Sequence, residues 1–196
     1  AHTTMVPVAY LYGIDTVRES IEDKVVGRYI RNVIFEEIIP ALDMEKEELI
    51  SFADSVIDRF RNPFIEHKLM SISLNSMSKF KSRVLPQILS YKNKYGKFPE
   101  RLIFSFASLI KFYEGRREEE EIELNDDGYI LDFYKEIWSK FTENSSYMEV
   151  VEKVLSLEKL WDTDLNKVEG LKERISYYLE IISENGMKKA LEVVAV

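Results

Sequence analysis

Between Val26 and Ile38 the apolar residues fall at Val26, Tyr29, Ile30, Val33, Ile34 and Ile38. Intervals of three and four put these side chains on one face of an α-helix, whereas a strand would split them between two faces. The same spacing recurs through most of the chain and strict alternation is scarce. That periodicity predicts an all-α, multi-helical fold.

Boundary residues divide the pattern. Thr16 and Glu19 have capping-box spacing ahead of the first stripe, which stops at Pro40. Asp43 is expected to cap a second helix, with Glu45, Glu47 and Glu48 near its positive end and Leu49, Phe52, Ala53, Val56, Ile57 and Phe60 along its apolar face. After the Asn62-Pro63 break, Asn62 as cap and Pro63 as first residue would open a helix carrying FIEHKLMSISLNSMSKFKSRVLPQIL, which Pro86 should kink or divide. Pro99 opens the run ERLIFSFASLIKFY, which ends at Gly115. RREEEEIELNDDG reads as a solvated loop, because like charges repel along it and Asp127-Gly128 is turn chemistry. YILDFYKEIWSKF, YMEVVEKVLSLEKLW and GLKERISYYLEIISEN supply three further helical patterns, the last stopped by Gly186. With no Pro/Ser-rich linker, repeat or low-complexity segment, residues 1–196 are expected to form one domain.

Composition narrows the chemistry. Hydrophobic residues at 45% and charged residues at 32% describe a folded chain with a real core, not a disordered one. Without cysteine there is no disulfide, thiolate zinc site or cysteine nucleophile, and two histidines offer little to a transition metal, so no metal is expected. A formal net charge of −8 argues against nucleic acid as partner. No apolar stretch approaches the roughly 18 residues that span a bilayer, and the opening AHTTMVPVAY is no charged-then-apolar leader, so neither membrane nor export is implied and the cytoplasm is the expected compartment. G-x-G-x-x-G, Walker, H-E-x-x-H and G-x-S-x-G motifs are absent. The acidic pairs Glu36-Glu37 and Glu47-Glu48 sit on amphipathic patterns and are expected to be solvated.

One segment is polar in an ordered way. His67, Ser71, Asn75, Lys79 and Arg83 follow at successive intervals of four, so on a single helix they would form one slanting ridge. Leu69, Ile72, Met77, Phe80, Val84 and Ile88 would bury the opposite side. A buried Lys79 would need a carboxylate, a ligand or a water-filled cleft, because an unpaired buried charge is costly. The same five residues could equally be the wet side of an amphipathic helix, and spacing does not decide between the two.

Wording adds what spacing leaves open. AHTTMVPVAY resembles the end of the Lys-x-x-x-x-Asn-x-x-His signature of the polyol-specific long-chain dehydrogenases, the family of mannitol dehydrogenase and the hexuronate reductases. RFRNPFIEHKLMSISLNSMSKFKSRVLPQIL is similar to that family's second block, with SISLNSMSKFKSRVLP closest to its tagaturonate-reducing members, and GLKERISYYLEIISENGMKKAL is similar to the end of its helical domain. The resemblance covers essentially the whole chain. It implies the C-terminal helical, substrate-binding domain of a two-domain enzyme, with NAD bound by an N-terminal Rossmann-type domain that is not in this chain.

The resemblance also implies site residues. His2 matches the signature histidine, which positions the substrate and the catalytic Lys; that Lys, the general acid/base, and the Asn would stand just before Ala1. One helix can aim such a trio at a carbinol carbon, since a residue eight positions away returns to within about 80° of the same direction. Lys79 matches a substrate-contacting lysine, and Asn75 and Ser71 share its ridge. The position of Ser71 is usually Arg in mannitol dehydrogenases, and Asn75-Ser76 replaces an Asp-Gly, departures that favour a hexuronate pocket. Lys79 or Arg83 would then face the substrate carboxylate, and His67 completes the candidate set. The implied reaction is hydride transfer between D-tagaturonate and D-altronate. Fructuronate or mannitol-type reduction and a non-catalytic helical interaction module are the alternatives. The implied partners are a hexuronate and the Rossmann-type domain of the same protein, and a free helical domain would tend to self-associate through the surface that domain covers.

Overall fold

The computed structural model describes residues 1–64 and 66–194. Apart from one small hairpin these residues form helices and connecting turns. Helix α1 (His2–Tyr12) is buried along nearly all of its N-terminal half, from Thr3 to Ala9, and ends at Gly13, whose φ of 109° supplies the left-handed cap. It lies against α9 (Glu100–Phe112), in which Leu102, Ile103, Phe104, Phe106, Ala107, Leu109 and Ile110 are all fully buried. A helix apolar all round belongs at the centre, and this pair forms the middle of one continuous hydrophobic cluster.

The remaining helices wrap the pair. The capping box forms as expected: Glu19 N–H donates to Thr16 Oγ1 at 3.2 Å and Thr16 N–H to Glu19 Oε2 at 3.2 Å, opening α2 (Val17–Glu22). Gly27 of α3 (Val26–Asn32) comes so close to the Ile21 carbonyl that a Cβ would overlap it. Helix α3 runs into a π-helical turn, Val33–Ile38, and a last short helix, α4 (Ile39–Ala41), with Pro40 in its first turn. Proline has no N–H for the preceding turn, and the wider i→i+5 register sits immediately before it. Glu37, within this turn, is only 4% exposed and its carboxylate accepts two N–H groups from the start of α9, so the expected solvated pair is corrected there.

Helix α5 (Lys46–Phe60) buries Leu49, Ala53 and Ile57. Glu45, not Asp43, precedes its first turn and makes no side-chain cap, while Asp43 Oδ1 accepts from Lys94 Nζ at 3.3 Å. Asn62 and Pro63 do not open a helix either: Asn62 Oδ1 accepts the Phe64 N–H at 3.0 Å in a turn, and Ile65 lies outside the described residues. The expected long helix is three pieces, α6 (Leu69–Ile72), α7 (Ser76–Arg83) and α8 (Leu85–Tyr95). Asn75 adopts a left-handed φ of 51° between the first two, and a break at Val84 precedes Pro86 in the first turn of α8, where division was expected.

The acidic stretch is not a plain loop. Strands β1 (Arg116–Arg117) and β2 (Glu120–Glu121) pair antiparallel with Arg116 opposite Glu121 and Arg117 opposite Glu120, so cross-strand charges attract where the sequence suggested only repulsion. Ile122 beyond it is buried, and Asp126 accepts from the Tyr113 hydroxyl and, at 3.3 Å, from the Met77 N–H. Helices α10 (Gly128–Ser139), α11 (Tyr147–Leu155), α12 (Glu158–Trp161), α13 (Leu171–Asn185) and α14 (Met187–Val194) complete the shell, with α13 packed on α9, α11 and α14.

Candidate active site

His2 occupies the first turn of α1, and the buried remainder of that helix fixes where its ring can point. The imidazole stacks on Phe60 at the end of α5, with centroids 4.3 Å apart and planes 27° apart, and meets His67 edge-on at 5.6 Å. Its Nε2 is buried without a hydrogen-bond partner. Burial pushes the His2 pKa down to about 4, and His67, Arg83 and Lys79 push the same way. At neutral pH the ring is therefore an uncharged hydrogen-bonding group.

These three groups come from two chain segments. His67 is exposed in the stretch before α6, and α7 carries both Lys79 and Arg83. The single ridge on one continuous helix is thus not what gathers them, since the segment is broken at Ser73–Asn75 and His67 precedes its first helix. Packing of α6 and α7 on α1 gathers them instead. Lys79 is half-buried and Nζ donates to the Ile72 carbonyl at 3.1 Å, so its charge faces the carbonyl end of α6. Arg83 is exposed and pairs with no carboxylate among the described residues. Ser71 and Asn75 are exposed, the Asn75 N–H donates to the Asn125 carbonyl at 3.0 Å, and neither residue lines a recess at His2.

Two recesses meet at His2. A cleft of about 510 Å³ runs along α5 and is walled by Ile34, Ile38, Leu49, Phe52 and Phe60, with His67 and Arg59 at its edge. A smaller recess of about 200 Å³ is lined by His2, Thr3, Ile38, Arg83, Gln87 and Leu102. One is apolar and the other polar, and the imidazole stands between them.

Two further residues were missed at the level of sequence. Glu37 backs the site: Oε1 accepts the Arg101 N–H at 2.9 Å and Oε2 the Leu102 N–H at 2.8 Å, which ties the π turn to the first turn of α9. Burial raises its pKa to about 7, against the lowering effect of those two N–H bonds and of the Arg101 guanidinium. Its position four residues after Val33, on the apolar stripe, was the available signal. Gln87 stands one more interval of four beyond Arg83, and its Oε1 is buried without a partner. No group of His, Asp or Glu that could hold a metal ion exists among the described residues, and no helix among them is long and apolar enough to cross a membrane.

Comparison with known proteins gives this geometry a context. A family model described as the mannitol dehydrogenase C-terminal domain matches residues 1–183. Altronate oxidoreductase of Pectobacterium carotovorum subsp. carotovorum is 46% identical over 198 residues, a match that covers 98% of this chain and 41% of that protein. Altronate oxidoreductase of Bacillus subtilis is 45% identical over 192 residues, covering 98% of this chain and 38% of that protein. The chain therefore spans about two fifths of the length of the curated relatives it matches. In fold it is similar to Pseudomonas fluorescens mannitol 2-dehydrogenase, solved as a ternary complex with NAD and D-mannitol, with a TM-score of 0.83 at 19% identity over 98% of this chain and 38% of that one. It is also similar to a D-sorbitol dehydrogenase, with a TM-score of 0.72 at 22% identity over 97% of this chain and 38% of that one.

Proposed function

The chain belongs to the mannitol dehydrogenase C-terminal domain family, and from that premise we propose that it is the substrate-binding part of an NAD-dependent oxidoreductase that interconverts D-tagaturonate and D-altronate. The observation that carries the acidic substrate is the placing of two cations, Lys79 and Arg83, near His2, with Arg83 lining the same recess, in a chain whose net charge is −8. A local positive field in an acidic molecule favours an anion at that spot, and a neutral polyol gains nothing from it.

NAD, held by a Rossmann-type domain of the same protein outside this chain, supplies the hydride acceptor or donor. The described residues are helical save for one hairpin of two-residue strands, so they offer no βαβ cradle for a dinucleotide. What this chain contributes is position. His2 stays neutral near pH 7, so its unpartnered Nε2 fits a hydrogen bond to a substrate oxygen better than it fits proton transfer. Lys79, half-buried and held by the Ile72 carbonyl, presents its remaining N–H groups to a sugar hydroxyl, with His67 at the cleft edge. The apolar cleft along α5 suits a protein surface better than a sugar, and we assign it to the preceding domain of the same protein.

Steady-state kinetics of the full-length protein test these roles. His2→Asn and Lys79→Met should each lower kcat/KM for D-tagaturonate by on the order of a hundredfold, with the KM for NADH little changed. Loss confined to NADH binding would contradict the assignment.

A further inference from the structure

The polar recess beside His2 holds more unsatisfied hydrogen-bonding capacity than its surroundings. His2 and Gln87 both line this recess of about 200 Å³, and each keeps one buried polar atom, His2 Nε2 and Gln87 Oε1, without a partner. Buried polar atoms are nearly always paired, so two orphans on residues that share one recess mark a place where a small rotation of either side chain would meet something polar. Arg83 adds a guanidinium on the same lining with no carboxylate partner among the described residues. The volume accommodates a few water-sized groups, the size of a carboxylate with its neighbouring hydroxylated carbon.

Resting on the hexuronate reading above, we propose that this recess is the carboxylate subsite, in which Arg83 pairs with the substrate carboxylate and Gln87 is a specificity-determining residue that accepts the adjoining hydroxyl. Lys79 is the rival for the charge, but its ammonium already donates to the Ile72 carbonyl at the end of α6, whereas the Arg83 fork is open. The helix break makes the arrangement possible. The chain turns out of helical register at Val84, with Pro86 in the next turn, and Gln87 N–H donates to the Val84 carbonyl at 2.9 Å. The amide is thereby fixed in the first turn of α8, against the same recess as Arg83 at the end of α7.

The test compares a hexuronate with its methyl ester, the same sugar without the charge, as substrates of the full-length protein with NADH. Wild type should prefer the acid on the order of a hundredfold in kcat/KM, and Arg83→Met should collapse that preference by at least about tenfold, with Arg83→Lys restoring part of it. Gln87→Leu should raise KM for acid and ester alike by about tenfold with kcat nearly kept, a split that general destabilisation does not produce. Gln87→Glu should bind the acid progressively worse as pH rises, because two carboxylates then share the recess. An acid-over-ester preference that survives in Arg83→Met, or a KM unmoved in Gln87→Leu, overturns the subsite and leaves the hexuronate reading standing. A wild type that reduces neutral ketoses and no hexuronate overturns both together.

Discussion

The His2 ring lies on the Phe60 ring at 4.3 Å, nearly parallel, which joins the first residue of α1 to the last residue of α5. Through this one contact a candidate catalytic group and the wall of an apolar cleft share a surface. The stack also takes water from the imidazole, and that is the leading reason its pKa falls.

His2 should therefore titrate near pH 4, well below the ordinary histidine value. The group is a base with a lowered folded pKa, so between pH 4 and 6.5 the unfolded chain binds more protons and the stability due to His2 rises with pH through that window. With only two histidines in the chain, NMR titration of the ring resonances, assigned with His67→Gln, reads this directly. Phe60→Leu should move the His2 midpoint upward. A midpoint near 6.5 in the unaltered protein would refute the stacked, buried setting.

Gly27 sets the separation of α2 and α3. Substitution by Ala normally helps a helix by up to about 1 kcal/mol, but here the added Cβ would overlap the Ile21 carbonyl. Gly27→Ala should destabilise by about 2 kcal/mol or more, because backbone cannot yield as a side chain can. Denaturant unfolding measures it, and a gain in stability would show that the two helices are not in such close contact.

Glu37 should give stability a slope of the opposite sign to that of His2. Its folded pKa of about 7 lies above its unfolded value of 4.5, so the contribution is full below pH 4.5 and is lost as pH rises through 7, a change on the order of 3 kcal/mol. Wild type and Glu37→Gln share every other titrating group, His2 included, so the difference between them isolates the carboxylate. Thermal melts of the wild type between pH 6.5 and 8 should fall relative to Glu37→Gln, whatever the absolute cost of replacing an oxygen that accepts the Leu102 N–H. Parallel melting curves for the two proteins across this range would contradict a shifted Glu37.

The apolar surface around the cleft should be sticky when nothing covers it. Phe64 is 93% exposed and Phe52 64%, and Phe52 lines the cleft itself. Light scattering after size exclusion should show the 196-residue chain associating as concentration rises, with Phe52→Asp suppressing it. A strict monomer at high concentration would argue against an interface here.

The helical class was legible because period alone separates helix from strand, and the burial of Leu69, Met77, Phe80 and Ile88 follows the spacing that foretold it. Helix ends were less so. Asp43 and Asn62 are good caps by chemistry, yet one is drawn off by Lys94 and the other closes a turn, because tertiary partners compete for the same oxygens. The ridge of five polar residues is not a single helix face: a break at Asn75 divides it and His67 precedes its first helix, and no period in a sequence reports a break. Glu37 lies four residues after Val33 on the apolar stripe, so its burial was open to the period, but its charge and its exposed neighbour Glu36 pointed to solvent; Gln87 extends the ridge by one interval beyond Arg83, past the proline at which a division was expected.

Substrate choice of the full-length protein tests the central claim most directly. With NADH in excess, initial rates on D-tagaturonate, D-fructuronate and D-fructose should place D-tagaturonate first and the neutral ketose last, with kcat/KM for the acid falling as ionic strength screens the cationic site. Reduction of D-fructose ahead of both acids, with no dependence on salt, would contradict an acidic-sugar site at His2.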